Sequence, residues 1–203
     1  MFNRRNCHDR ETKRLGIDHH RGRLRRWMRM RDRNGALNIS IENHASDISP
    51  AIFILLGGHD ERERILDHLG EHKAQAAFVF ISGFDWNQNL SPWPAPAAWK
   101  GTPDFSGGAN AFLDELTGEV LPEVRVELGY DPAWYGIAGY SLAGLFAVYS
   151  LYRTDVFRRA ASASGSMWFD DFREYAVSHP FAGNHFQNPQ ERLAKGISWI
   201  LRR

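Results

Sequence analysis

The chain has 203 residues, of which 43% are hydrophobic and 24% are charged, a composition typical of a single globular domain. Its net charge of +1 excludes a uniformly basic or acidic protein, and no run approaches the roughly 18 apolar residues that a membrane span needs. The single cysteine, Cys7, excludes an internal disulfide, so a reducing compartment is permitted and we expect a cytoplasmic protein.

The N-terminal segment is strongly basic. Residues 1–33 hold twelve Lys or Arg against four Asp or Glu, which leaves a net charge of −7 for the rest of the chain. Because few apolar residues separate the arginines, burial cannot offset the entropy lost on ordering this segment. We predict a largely disordered tail over 1–33, with disorder throughout 1–22, and a folded domain over 34–203. A basic arm for nucleic acid or an anionic membrane is the alternative, but the segment lacks interleaved aromatics and an amphipathic face, so we expect neither partner.

Beyond the tail, the pattern alternates between strands and helices. Strands are predicted at residues 37–41, 51–56 and 76–81, and helices at residues 61–71 and 111–128. The second and third strands are continuous apolar runs, typical of a parallel sheet covered on both faces. Residues 83–108 form a long loop rich in Gly, Pro and Trp, and loops of that length in compact domains are usually functional. This order predicts an α/β fold in three layers, a mostly parallel sheet flanked by helices.

One sequence motif indicates a catalytic function. A strand predicted at 134–138 runs into the sequence GYSLAG at 139–144, and an apolar helix follows at 145–152. A nucleophile elbow has this arrangement, because a sharp turn lifts the serine above the sheet edge and small residues on both sides let strand and helix approach. Gly139 and Ala143 occupy those two positions. We therefore predict that Ser141 is a nucleophile; a serine that merely caps the helix is the alternative.

A serine hydroxyl needs a histidine to take its proton before it becomes a good nucleophile. In a strand-turn-helix setting of this kind the histidine follows the serine in the chain, which leaves His179 and His185. His185 lies in a Gly-Asn loop before a helix predicted at 189–201, whereas His179 precedes a proline without such a setting. We predict that His185 is the general base; a surface histidine is the alternative.

Several segments resemble the esterase family that contains esterase D, the mycolyltransferases and the siderophore esterases, above all its short bacterial members. The segments are FILLGGH at 53–59, NLSP at 89–92, GGANAFL at 107–113, GYSLAG at 139–144, SGSMW at 164–168 and GNH at 183–185. The resemblance covers residues 50–203 and implies an α/β-hydrolase fold and a serine esterase. It also implies an oxyanion hole formed by the backbone amides of Leu142 and His59.

The chain departs from this family between the serine and the histidine. His185 follows Ser141 by only 44 residues, whereas the family layout needs two more strands there and one strand–helix–strand unit takes about 30 residues. We predict a strand at 156–163 and the loss of one or two C-terminal strands, together with the segment that carries the catalytic acid. Asp171 is the best remaining candidate for that acid. The open sheet edge would then favour a homo-oligomer that covers it.

The function predicted from these features is serine carboxylic-ester hydrolysis of a small-molecule ester through an acyl-enzyme. Low activity is expected, because triads without their acid lose about 10⁴ in turnover. The alternative is a degenerate, non-catalytic hydrolase-fold protein that binds an acyl or aromatic ligand or a partner. Trp86, Trp93 and Trp168 are predicted to bind substrate, with Trp99 and Phe105 beside them, and core packing is the equal alternative. No cofactor or metal is predicted, since the His and Cys residues lack ligand spacing and no G-x-G-x-x-G follows a strand.

Overall fold

The computed structural model of the chain describes residues 13–20, 23–31, 36–43, 49–55, 60–72 and 74–177, together with Leu193 and Ile197. The strands are β1 (Lys13–His20), β2 (Arg23–Arg31), β3 (Ala36–Asn43), β4 (Ala51–Leu55), β5 (Ala77–Ser82), β6 (Pro94–Ala95), β7 (Phe105–Ser106), β8 (Tyr135–Tyr140) and β9 (Phe157–Ala163). The helices are α1 (Asp60–Glu71), α2 (Trp86–Leu90), α3 (Ala109–Glu115), α4 (Leu121–Leu128), α5 (Leu142–Arg153) and α6 (Phe172–Val177), with a π-helical turn (Leu116–Val120) between α3 and α4.

Seven strands form one mixed sheet in the order β1-β2-β3-β5-β4-β8-β9. The neighbours β5, β4, β8 and β9 are parallel, whereas β1, β2 and β3 pair antiparallel with one another and β3 pairs antiparallel with β5. The short strands β6 and β7 pair separately. Because the carboxyl ends of parallel strands meet at one edge of a sheet, the segments that follow β8 and β9 lie side by side.

Helices cover both faces of the sheet, which confirms the three-layer α/β fold. On one face, Phe53 and Ile137 belong to a core that includes residues of α3, α4 and α5. On the other face, Ile52 and Phe78 belong to a core with α1, Leu193 and Ile197. The two continuous apolar runs of the sequence became β4 and β5 for this reason, since alternate side chains of each strand enter opposite cores.

The predicted elements of the domain correspond to observed ones. β3, β4, β5, β8 and β9 confirm the predicted strands within a few residues, and α1 and α5 confirm predicted helices. The helix predicted at 111–128 is formed by α3, the π-helical turn and α4 in succession. In the described part of the chain β9 is the last strand of the sheet. Residues 178–192 lie outside the described residues, so the loss of one or two C-terminal strands stays a prediction.

Part of the basic N-terminal segment is ordered, contrary to the prediction of a disordered tail. Residues 13–20 and 23–31 form β1 and β2, so the prediction of a disordered tail is wrong for them and the sheet begins before residue 34. The reason is a two-residue alternation within the arginine-rich stretch, which places Met28 and Met30 in the core while Arg29 between them is exposed. The backbone of β2 pairs with β3 along its whole length after residue 23. Residues 1–12 lie outside the described residues.

Cationic side chains also anchor β2 to the helices. Trp27 lies under the guanidinium of Arg62 on α1, whose carbon is 4.1 Å from the ring centroid. Arg62 Nη1 donates in turn to the hydroxyl of Ser40 at 3.3 Å. From the opposite face of β2, Arg26 Nη1 donates to Glu127 Oε2 on α4 at 3.4 Å. A desolvated cation–π contact contributes up to about 2 kcal/mol, so Arg62 on α1 stabilises the packing of β2 through Trp27.

The ionisation of three tyrosines is expected to lower the stability of the fold at alkaline pH. Burial raises the pKa of Tyr135, Tyr149 and Tyr152 above the ordinary 10.0, because it disfavours the phenolate. As pH rises, these tyrosines ionise first in the unfolded chain, so the stability that they contribute below about pH 10 is lost as pH passes through their folded pKa values. We expect the urea concentration at the midpoint of unfolding to stay constant between pH 7 and 9 and to fall above pH 10.

Tyr149→Phe provides the control for this pH dependence. The Tyr149 hydroxyl donates to Asn110 Oδ1 at 2.9 Å, and the variant removes both that bond and one raised pKa. Urea unfolding followed by tryptophan fluorescence should therefore show a lower midpoint at pH 7 and a shallower decline above pH 10. A decline as steep as that of the parent would contradict the contribution of Tyr149.

Candidate active site

Ser141 forms the sharp turn between β8 and α5. It follows Tyr140, the last residue of β8, and precedes Leu142, the first residue of α5. Its φ of 56° and ψ of −121° lie in a region that residues other than glycine avoid, at a cost of roughly 1–3 kcal/mol. The turn is held by two backbone bonds of 3.0 Å, since Ser141 N–H donates to Ala163 O and Leu145 N–H donates to Ser141 O. The predicted strand, turn and helix are confirmed.

Glycine is required beside the turn because β8, α5 and the end of β9 approach closely. A Cβ atom on Gly139 would lie under 3.0 Å from the backbone carbonyl of Ala143 in α5. A Cβ atom on Gly144 would lie 2.8 Å from Ser162 Oγ and 3.0 Å from the Cα of Gly165. The small residues of the GYSLAG segment therefore set the distance at which the helix crosses the strand, and with it the height of Ser141 above the sheet.

The turn after β9 lies directly against Ser141. Ser166 N–H donates to the backbone carbonyl of Ser141 at 3.0 Å, and the two hydroxyl oxygens are 3.3 Å apart. Ser166 is only 1% exposed. Ser166 is not among the site residues predicted from the sequence; its only signal there was the resemblance of the SGSMW segment at 164–168. The edge of the sheet at β8 and β9 thus brings two serines together.

Leu142 is one of the two predicted oxyanion donors. It is the first residue of α5, where backbone N–H groups have no partner within the helix and where the positive end of the helix dipole lies. The other predicted donor, His59, and the predicted base, His185, lie outside the described residues. Asp171, the candidate acid, is exposed with φ of 56°, and its backbone carbonyl accepts from Tyr175 N–H at 3.0 Å at the start of α6.

Two of the predicted substrate-binding tryptophans make packing contacts. Trp93 is half-buried, stacks on Phe172 with ring centroids 6.3 Å apart, and donates its Nε1–H to Asp170 O at 3.0 Å. Trp86 stacks on Phe84 with centroids 6.1 Å apart and planes at 17°. These contacts are those expected of the alternative interpretation, in which the residues join the loop to the core.

The third predicted tryptophan, Trp168, is exposed to solvent. It follows Ser166 by two residues, is 54% exposed, and meets Trp99 edge to face with ring centroids 5.9 Å apart. Trp99 is 66% exposed, and Met167 is exposed as well. We call Trp99, Met167 and Trp168 the tryptophan patch. Exposed clusters of large apolar side chains mark ligand or partner sites more often than single exposed residues do.

The loop that carries Trp99 is held by a motif of fixed hydrogen bonds. Ser91 Oγ donates to Asn87 O at 2.6 Å and accepts from Gly107 N–H at 2.8 Å, which ties the two ends of the loop together. Gly107 has φ of +77°, and a Cβ there would lie 2.6 Å from the backbone nitrogen of Pro94, so another residue would not fit. The NLSP and GGANAFL segments thus give the loop a fixed shape.

In the ranges that the structure describes, no three His, Cys, Asp or Glu side chains form a group that could hold a metal ion. The described helices include none with the length and hydropathy needed to cross a membrane.

Comparisons with known proteins identify a family and a curated relative that resemble this chain. The model of a family described as "Putative esterase" matches residues 44–194. Uncharacterized protein YbbA of Bacillus subtilis (strain 168) is 29% identical over 87 residues, which are 41% of this chain and 35% of that protein, so the match spans about a third of the relative's length.

Solved structures share the fold at low identity. Siderophore hydrolase EstB from Aspergillus nidulans superimposes with a TM-score of 0.58 at 15% identity, over 88% of this chain and 80% of that one. The enterobactin hydrolase IroE, in complex with DFP, superimposes with a TM-score of 0.58 at 20% identity, over 76% of this chain and 68% of that one. These similarities confirm the α/β-hydrolase-type fold that the resemblance implied.

Proposed function

Because the chain belongs to the esterase family, we propose that it is a serine carboxylic-ester hydrolase that acts through an acyl-enzyme intermediate. One observation supports this most: Ser141 holds a strained φ of 56° between β8 and the N-terminus of α5. Such strain persists only where the surrounding structure enforces it, and it concentrates where a side chain is used. The family and the strained serine together favour nucleophilic catalysis at Ser141.

The proposed reaction has two steps. Ser141 Oγ attacks the ester carbonyl carbon while His185 takes the hydroxyl proton; the bond to the alkoxy oxygen then breaks, and the alcohol leaves with that proton. Water, deprotonated by the same histidine, then attacks the acyl-serine carbonyl, and the acid product leaves as Ser141 regains its proton. Asp171 is the proposed orienting acid, and its exposed position agrees with the expectation of a weak enzyme.

The negative charge that develops on the carbonyl oxygen requires donors. We assign this role to the backbone N–H of Leu142 and, from the resemblance, to that of His59. Leu142 is buried at the positive end of α5, where water is excluded and the helix dipole favours an anion. Loss of a single donor of this kind typically lowers kcat by about 10²–10³.

The acyl or aryl part of the ester is proposed to contact the tryptophan patch. Trp168 lies two residues from Ser166, whose hydroxyl contacts Ser141, and this supports a position for its exposed ring near a substrate bound at the nucleophile. The names of two structural neighbours, a siderophore hydrolase and an enterobactin hydrolase, favour esters of that kind as candidates. Flat, exposed indole rings suit aromatic groups better than branched aliphatic ones.

Trp168→Ala is expected to raise KM for an aryl ester by about two- to tenfold and to leave kcat nearly unchanged, because stacking is worth roughly 0.5–1.5 kcal/mol and acts on ground state and transition state alike. Steady-state kinetics on a phenyl ester and on an acetate of a small aliphatic alcohol check this, and only the phenyl ester should be affected. Val126→Ala, also at an exposed apolar side chain but on α4, is the matched control. Equal KM values for parent and Trp168→Ala would contradict the assignment.

Stopped-flow hydrolysis of p-nitrophenyl butyrate tests the proposed function. We expect saturable release of p-nitrophenol, with a burst that approaches one equivalent per chain whenever deacylation is the slower step. A folded chain that hydrolyses no ester in a series of alkyl and aryl esters would contradict the proposal. That result would favour the alternative of a hydrolase-fold protein that binds an acyl or aromatic ligand without turnover, and binding of the same esters by calorimetry would then identify it.

A further inference from the structure

We propose that Ser166 is a positioning residue for Ser141: its hydroxyl holds the nucleophilic oxygen in the orientation for attack. The inference rests on the proposed function, because it assigns a role at the same site. Ser141 Oγ and Ser166 Oγ lie 3.3 Å apart. Ser166 is 1% exposed, so its hydroxyl is shielded from bulk water.

The backbone fixes this pair of hydroxyls from both sides. Ser166 N–H donates to Ser141 O at 3.0 Å, and Ser166 O accepts from Phe169 N–H at 2.9 Å. Ser141 N–H donates to Ala163 O at 3.0 Å, at the end of the strand that leads into the Ser166 turn. Because a serine side chain has one heavy-atom torsion, a fixed backbone leaves Ser166 Oγ few positions. The distance between the hydroxyls is therefore set by the fold.

The transfer of the Ser141 proton to the base determines which of the two hydroxyls donates during the reaction. The base must receive the Ser141 proton, so during the reaction the Ser141 O–H group donates to the base and not to Ser166. Ser166 is then the donor, and Ser141 Oγ accepts with one of its two lone pairs. The other lone pair remains for the carbonyl carbon. The donated bond thus selects the rotamer of Ser141 in which attack and proton transfer occur together.

The length of the contact agrees with positioning and argues against a role in proton transfer. Bonds between hydroxyls are usually about 2.7–2.8 Å long, so a contact of 3.3 Å is weak and withdraws little electron density from the nucleophile. A serine hydroxyl is also too weak a base to accept the Ser141 proton at neutral pH. What Ser166 supplies is orientation.

Ser166→Ala tests the inference, with Ser150→Ala as matched control. Ser150 is also fully buried and its hydroxyl also makes one bond, to Ala147 O at 2.8 Å, but it lies on α5 away from the turn. We expect Ser166→Ala to lower kcat for p-nitrophenyl butyrate by about tenfold with KM unchanged. The second-order rate of labelling by a fluorophosphonate should fall by a similar factor. Ser150→Ala should leave both rates unchanged, and Ser166→Thr, which keeps the hydroxyl, should recover most of the loss.

The outcomes separate the two proposals. Parent-like rates in Ser166→Ala would overturn the inference and leave the proposed function standing. So would an equal loss in Ser150→Ala, or a Ser166→Thr variant as slow as Ser166→Ala at an unchanged unfolding temperature. A folded parent that neither turns over nor labels would overturn the proposed function, and this inference with it.

Discussion

Replacing Ser141 by alanine is expected to lower kcat for ester hydrolysis by about 10⁴-fold or more, because no other group can form the acyl intermediate at this position. The fold should survive the change. Alanine is smaller than serine and adopts the same backbone angles at the same cost, and the three backbone hydrogen bonds of residue 141 remain. The loss of activity therefore reports chemistry and not unfolding.

Ser141→Gly sharpens this test. Glycine adopts φ of 56° without the strain that serine bears there, a relief of roughly 1–3 kcal/mol that exceeds the entropic cost of glycine of about 0.5–1 kcal/mol. We expect an inactive chain that unfolds at a higher temperature than the parent. Kinetics on p-nitrophenyl butyrate and differential scanning calorimetry measure the two effects. A Ser141→Ala variant that keeps parent activity would refute the assignment of the nucleophile, and a Ser141→Gly variant less stable than the parent would refute the strain.

Gly139→Ala is expected to destabilise the fold by about 3 kcal/mol. The added methyl group would lie under 3.0 Å from the backbone carbonyl of Ala143, so α5 must move away from β8, since no flexible side chain can yield instead. With a shift of roughly 2–4 °C per kcal/mol for a chain of this size, the unfolding temperature should fall by about 6–12 °C. We expect kcat to fall by more than the loss of folded protein explains, because the movement of α5 also carries the Leu142 N–H away from the carbonyl oxygen of the substrate.

Gly118→Ala is the matched control for Gly139. Gly118 lies in the π-helical turn, and a Cβ atom there would have nothing within 4 Å. Alanine favours helix over glycine by up to about 1 kcal/mol, so this variant should be as stable as the parent or slightly more stable. Thermal unfolding followed by circular dichroism compares the two. Equal unfolding temperatures for Gly139→Ala and the parent would contradict the close approach of β8 and α5.

The parts of the fold that could be predicted are those in which local pattern and tertiary environment agree. The runs that became β4 and β5 are apolar at every position because both faces are covered, and α1 shows its buried stripe at Ile65, Leu66 and Leu69. The elbow was predictable for a related reason. Gly139, Ser141 and Ala143 set its geometry within one turn of chain, so adjacent residues carried the whole signal.

The parts that could not be predicted depend on partners far along the chain. β2 is arginine-rich; Arg62 on α1 stacks over its Trp27, and Glu127, 101 residues along the chain, pairs with its Arg26. No local pattern shows such partners; the alternation of Met28 and Met30 was the one local sign of a strand. Ser166 was missed for the same reason, because it contacts Ser141 across 25 residues and two adjacent strands. Trp93 looked like a pocket residue, whereas its neighbours Asp170 and Phe172 come from the turn before α6 and from the first residue of α6.

Labelling with a fluorophosphonate, followed by peptide mapping of the adduct, tests whether Ser141 is the nucleophile, because the reagent reacts only with a serine activated by its surroundings. We expect one adduct per folded chain, on the peptide that contains Ser141, and none in Ser141→Ala. An unlabelled parent with an intact circular dichroism spectrum, or an adduct on a different serine, would contradict it.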